Sequence, residues 1–199
     1  MTSRKEERES PAIGFRVKSG FAVAVALRGP ASAPVAVARR IVAMSDPAVP
    51  ETKQPYHDGF YRTEEDPREI ARRLKIVERC AAASVEALLA EEWFEGTRCR
   101  AATIVVGSTI EPETVGNPHI RAHAHEGRLF RVVLERALGT SGVKCEVIVQ
   151  KQLAATTARR VSRSPREIAR TIEAFGRALG HPWQSDEKAA AAAAWLALT

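Results

Sequence analysis

Cysteine is scarce in this chain of 199 residues: Cys80, Cys99 and Cys145 are odd in number and irregularly spaced. No C-x-x-C pair is present, which sets aside a disulfide scaffold and a zinc ribbon. Cys80 and Cys145 fall in apolar patterns and are expected to be buried thiols. Long hydrophobic runs are missing too. The longest are too short and too rich in alanine to span a bilayer. The opening TSRKEERES is charged and lacks the apolar stretch of a signal peptide. The expectation is a cytoplasmic protein with no membrane partner and a disordered tail over residues 1–11. No RNP-like aromatic pattern or other base-reading signature occurs, so readout of base sequence is not expected.

What is present is a 45% hydrophobic chain, enough for a sizeable core, with a formal net charge of +6. An excess of positive charge suits nucleic acid, an anionic membrane or an acidic protein. It is equally what an arginine-rich proteome gives any soluble protein. The stretch Gly14 to Gly29 reads as a first strand, and Val35 to Met44 as a second that pairs with it as a hairpin. Pro47, Pro50 and Pro55 argue for a long loop from Ser45 to Asp66, with a short edge strand near Phe60-Tyr61.

Asp66-Pro67-Arg68-Glu69 is a helix start. Ile70, Leu74, Val77, Ala81, Val85, Leu88 and Leu89 continue at helical spacing to about Trp93, with Arg72, Arg73, Lys75 and Arg79 assigned to the exposed face. Ala101 to Gly107 suits a strand buried on both faces. A helix is expected from about Pro118 to Gly139, a strand over Val143 to Val149, and a capped helix from Ser164-Pro165-Arg166-Glu167 to Gly180. The last helix begins near Ser185 and runs through six alanines to Leu198. PREIAR occurs twice, at Pro67 and at Pro165, but the flanks differ, so two similarly capped helices explain it.

A hairpin followed by helix, strand, helix, strand and helices resembles the ribonuclease H-like superfamily, specifically the RuvC-type Holliday junction resolvases, over about Gly14 to Leu198. Such proteins open with a strand reading roughly G-I-D-P-G-S, where this chain has Gly14-Phe15-Arg16-Val17-Lys18-Ser19. They carry a Glu after the first helix and its strand, where this chain has Val106-Gly107-Ser108. Their A-R-G segment is similar in place to His125-Glu126-Gly127, and their D-A-A-D-A-L-A helix to Asp186-Glu187-Lys188-Ala189-Ala190-Ala191.

The resemblance implies one α/β domain over residues 12–199, with a mixed central sheet flanked by helices. It permits a homodimer and makes structured nucleic acid, branched DNA included, the partner to test. It also implies clustered carboxylates holding two Mg²⁺ ions at a phosphodiester. Here those positions fall at Arg16, Ser108 and Ala189, and Asp186 alone matches, with Glu187 beside it. The two-metal reaction and its cofactor are therefore not expected.

Two constellations remain. In Asn117 to Gly127, His119, His123 and Glu126 stand at i, i+4 and i+7 and share a helical face. Together with Asp186 they form a candidate set for a divalent transition metal, and Asp186, Glu126 and His119 are candidate catalytic residues of a rebuilt phosphodiesterase. There is no H-E-x-x-H pattern, and the histidines would serve as well in hydrogen bonds to loop carbonyls or the last helix. Glu111 and Glu113 are further candidate oxygen ligands. The second constellation is basic. Arg159, Arg160, Arg163 and Arg166 suit phosphate, with Arg16 and Lys18 as a basic floor to the same cleft. A solvated basic loop is the alternative. Arg16 is also expected to pair with Asp186. Tyr56-His57 and Tyr61 are placed to stack on bases, cover the cleft or pack, and His181-Pro182-Trp183 to pack the turn before the last helix. The functional expectation is a catalytically degenerate RuvC-like protein that binds structured nucleic acid without cleaving it, with a metal-dependent nuclease or a protein-binding scaffold as alternatives.

Overall fold

Gly20 divides what reads in the sequence as one long strand. Its φ of +82° lies in the left-handed region that glycine tolerates, and the chain reverses there. The apolar stretch thus becomes β1 (Ala12–Lys18) and β2 (Phe21–Arg28), and β3 (Val35–Ala43) completes a three-stranded meander rather than a two-stranded hairpin. The structure, a computed structural model, describes residues 10–59, 62–94 and 96–199. The expected edge strand at Phe60-Tyr61 and most of the expected tail lie outside the described residues. Pro11 is buried and its carbonyl accepts from Arg100 N at 2.7 Å, so the anchored chain includes it.

Four of the helices after the meander start where the sequence predicts. Asp66 Oδ1 accepts from Arg68 N (2.8 Å) to open α1 (Pro67–Leu89). After β4 (Ala102–Val106), buried at every position, Asn117 caps α2 (Pro118–Thr140). β5 (Cys145–Val149) leads without a loop into α3 (Gln150–Val161). This helix corrects the reading of that stretch as a basic linker. The Ser164 and Glu167 capping box opens α4 (Pro165–Leu179), and α5 (Ser185–Ala197) follows.

The sheet order is β3-β2-β1-β4-β5, with β1 antiparallel to β2 and parallel to β4, and β4 parallel to β5. The carboxyl ends of β1, β4 and β5 therefore meet at one edge. Alternation along β1 sends Ile13, Phe15 and Val17 to a core with α1 and α2, while Ala12 joins a second core with α3, α4 and α5. α5 crosses β1 at backbone contact: a Cβ on Gly14 would collide with the Ala190 carbonyl and the Ala194 amide. The alanine run is thus a packing surface as well as a helix former. Trp195, fully buried, anchors the far end through Nε1 donating to Ala31 O (2.8 Å).

Three assignments change. Cys80, Cys99 and Cys145 are free and half-buried. Arg73, assigned to the solvent face, is 5% exposed, whereas Arg72 beside it is solvated. Trp93 lies beyond the end of α1, in a short 3-10 turn. Among the described residues no helix is long and apolar enough to cross a membrane.

Candidate functional site

At the carboxyl ends of β1 and β4 lies an open cleft of about 420 Å³, lined among others by Arg16, Lys18, Gly107, Ser108, Ile120 and His123. The even positions of β1 place Arg16 and Lys18 on the α5 side. Asp186, in the first turn of α5, meets both: Arg16 Nε at 3.5 Å from Oδ1 and Lys18 Nζ at 3.4 Å from Oδ2. Arg16 is also held by Val17 O (3.0 Å). Ser108 is turned into its own loop, where its Oγ accepts from Ile110 N at 3.0 Å. Ala189 is buried against the sheet.

No acidic side chain lines the cleft among the described residues, and Asp186 at its border is already shared by two cations. A pair of Mg²⁺ ions needs several hard oxygen ligands, and this donor set does not fit them. Glu111 and Glu113 do not add to it, because both face Arg128, at 2.9 and 3.5 Å.

The basic segment does not share this cleft. Arg160 reaches Glu146 (2.6 Å) and Thr199 Oγ1 (3.0 Å), and Arg163 donates to Ser32 O (2.5 Å) with its guanidinium 5.7 Å from the Trp195 ring centre. Of these partners, Trp195 and Thr199 lie at the carboxyl end of α5, Trp195 about 14 Å along the helix from Asp186 at 1.5 Å per residue. The expectation of one continuous basic surface is corrected: Arg16 and Lys18 lie at one edge of the sheet, and Arg159, Arg160, Arg163 and Arg166 at the other. Arg160 and Arg163 are engaged within the fold, whereas Arg159 and Arg166 are exposed.

The histidine face of α2 finds a partner that sequence reasoning assigned elsewhere. His57, from the proline-rich loop, joins His119 and His123, and one ring nitrogen from each lies within 4.8 Å of the others. His57 is 5% exposed and Glu126 1%. His57 Nδ1 is hydrogen-bonded to Glu126 Oε1 at 2.7 Å, and the other carboxylate oxygen lies 3.4 Å from His123 Nδ1. Burial pushes the Glu126 carboxyl up to about 7, against the opposing pull of His123, and burial holds His57 below its ordinary value. Tyr56 stacks on His125, with ring centres 4.8 Å apart.

Asp186, expected with these histidines, faces Arg16 and Lys18 instead, and Glu126 supports His57 and His123 from behind. Tyr61 lies outside the described residues. Arg73 locks the His57 loop: Nη1 donates to His57 O (2.8 Å) and Pro55 O (3.3 Å), and Nη2 to Glu64 Oε2 (2.6 Å). Its burial had a sequence signal, since position 73 extends the stripe of Val77, Ala81, Val85 and Leu88 one turn back.

A mixed five-stranded sheet in this order, with helices on both faces, is the ribonuclease H-like fold, as the element order suggested. Among solved structures the chain is similar to RuvC of Thermus thermophilus, with a TM-score of 0.51 at 13% identity over 94% of this chain and 92% of that one. The T. thermophilus RuvC in complex with a Holliday junction substrate gives a TM-score of 0.55 at 12% identity, over 94% and 91%. The fold is therefore RuvC-type across nearly the whole chain. No protein-family model matches the sequence, and no curated protein does.

Proposed function

We propose that this protein binds the phosphate backbone of structured nucleic acid in the cleft at the carboxyl ends of β1 and β4, without two-metal hydrolysis. One observation carries the reading: Arg16 and Lys18 share a single carboxylate, which leaves a surplus cation beside a cleft without acidic lining. A strand backbone with one charge per phosphate is the ligand that rewards such a surplus. The reading is supported by a fold similar to that of a RuvC solved on a Holliday junction substrate. The same pair of cations opposes Mg²⁺, so cleavage of the usual two-metal kind has no donor set here.

The test is a titration against single-stranded, duplex and four-way-junction DNA at low and moderate salt, with Mg²⁺ or Mn²⁺ present and the DNA examined afterwards. Expected are salt-sensitive binding, intact DNA, and a loss in Arg16→Ala and Lys18→Ala that is the same for all sequences. The salt slope should shrink by roughly 0.9 for each contact removed on duplex. Loss confined to Arg159→Ala and Arg166→Ala would move the interface to the opposite edge. Cleaved DNA would replace the binder with a metal-dependent phosphodiesterase, and no binding at low salt would leave a protein scaffold.

A further inference from the structure

Three of the five histidines of this chain meet where α2 begins. They come from two distant segments, so the cluster is a product of the fold and not of a local histidine run. The rings enclose a common point: ring centres are 5.0 Å apart for His57 and His119, 4.5 Å for His57 and His123, and 4.7 Å for His119 and His123. Their exposure is graded, with His57 buried, His119 intermediate and His123 open to the cleft.

Two further features distinguish this cluster from packed imidazoles. First, Nδ1 of His57 is hydrogen-bonded to the buried carboxylate of Glu126, while Nε2 of the same ring is buried and has no hydrogen-bond partner among the described residues. A carboxylate on one imidazole nitrogen fixes the tautomer that leaves the other as a lone-pair donor, as in carboxylate–histidine–zinc arrangements. Second, the loop that carries His57 is held by three hydrogen bonds from a buried arginine, although none of the loop's described residues belongs to the main core. The construction fixes one ring in place.

We propose that His57, His119 and His123 form a three-histidine site for a divalent cation of the Zn²⁺ class, with His57 binding through Nε2 and Glu126 as its positioning carboxylate. Imidazole donors select Zn²⁺ and its late first-row neighbours over Mg²⁺ or Ca²⁺. A tetrahedral ion with bonds of about 2.05 Å needs donor atoms about 3.3 Å apart. The present separations, within 4.8 Å, are wider than that, so the exposed His123 and half-buried His119 side chains would turn inward on binding. The fourth position then opens past His123 toward Arg16, Lys18 and Ser108, where an anionic oxygen or water would complete the shell. This site is separate from the Asp186 ion pairs and does not depend on whether the cleft takes nucleic acid.

The test is Zn²⁺ binding to the tag-free full chain, measured by competition with a chromophoric chelator, with Co²⁺ absorption to report coordination. Expected are one ion per chain and a tetrahedral Co²⁺ spectrum. His123→Ala, at an exposed position and with its fold checked by circular dichroism, should weaken binding at least about 100-fold. Glu126→Gln should weaken it by roughly 10- to 100-fold. His181→Ala, outside the cluster, should bind as the parent does. Zn²⁺ should also raise the melting temperature of the parent and not that of His57→Ala, whose fold is checked by circular dichroism. Substoichiometric binding by the parent, or His123→Ala binding as tightly as His181→Ala, would overturn the site.

Discussion

Nη1 of Arg73 donates a 2.8 Å hydrogen bond to the backbone carbonyl of His57, with the guanidinium buried between α1 and the proline-rich loop. Nη1 also reaches Pro55 O, Nε reaches Glu69 and Nη2 reaches Glu64, so one side chain satisfies four acceptors. Arg73→Ala should cost about 3 kcal/mol in a urea melt, because Glu64 and two buried carbonyls lose their donor together. Arg73→Lys should recover less than half of the loss, since a point ammonium cannot span acceptors arranged for a planar fork. A cost within 0.5 kcal/mol, the range of ordinary surface changes, would mean that the loop is held elsewhere.

Gly14 makes a second, sharper prediction. Its missing side chain is what lets α5 rest on β1, and the atoms a Cβ would meet belong to the helix backbone. A flexible side chain could swing away, but a helix backbone can only translate. Gly14→Ala should therefore cost more than about 3 kcal/mol, above the usual range for an added methyl group in a core, or abolish soluble expression. Gly139→Ala, where a Cβ meets nothing within 4 Å, is the control and should be neutral or slightly stabilising.

The fold was legible where caps and periodicity coincide. Asp66-Pro67, Asn117-Pro118 and Ser164-Pro165 each open a helix as their chemistry dictates. At Gly20 the signal was present but outweighed: Lys18-Ser19-Gly20 interrupts the apolar pattern with a turn-forming Ser-Gly pair, while the apolar residues on either side read as one strand. α3 was missed because its buried positions are two, Leu153 and Thr157, too few to print a helical stripe against its basic end.

The site divides in the same way. His119 and His123 declare a shared face through their spacing, which is local information. His57 lies 69 residues before Glu126 in a loop without periodicity, and tertiary packing alone brings it in. The pairing of Asp186 with Arg16 followed from the resemblance. The separation of the arginine-rich segment from that pair did not, because it depends on α3 carrying the chain back along the sheet to its other edge.

Acid should weaken the α1 start in a defined window. The carboxyl of Glu69 is held down to about 2 from an ordinary 4.5, by its hydrogen bond to Arg72 first, with burial opposing and Arg73 adding to the effect. A carboxylate with a depressed folded-state value stabilises the fold above about pH 4.5 and loses that contribution as pH falls toward 2. The stability gap between the parent and Glu69→Gln should accordingly be widest near neutral pH and close between pH 4.5 and 2. Parallel curves across that window would remove Glu69 from the account. Glu167, held down by the Ser164 side chain in the α4 capping box, should give a second closure of the same sign in Glu167→Gln.

Asp186 offers the most direct check on the cleft, because its removal and that of Arg16 have opposite signs. Both ion pairs are partly exposed, with Asp186 at 30% and Lys18 at 39%, so neither contributes much to stability. Their weight is on the field in the cleft. Asp186→Asn deletes the carboxylate shared by Arg16 and Lys18 and nearly preserves its shape, so both cations face solvent unneutralised. A unit charge about 4 Å from a phosphate is worth about 1 kcal/mol even in water, which corresponds to roughly five-fold in affinity. Binding of four-way-junction DNA at low salt should therefore tighten about five-fold in Asp186→Asn and weaken by a similar factor in Arg16→Ala. The difference should fade as salt shortens the screening length toward contact distance. If both variants bind less well, Asp186 takes part in the ligand contact itself, and the cleft works as a mixed-charge site instead of a cationic one.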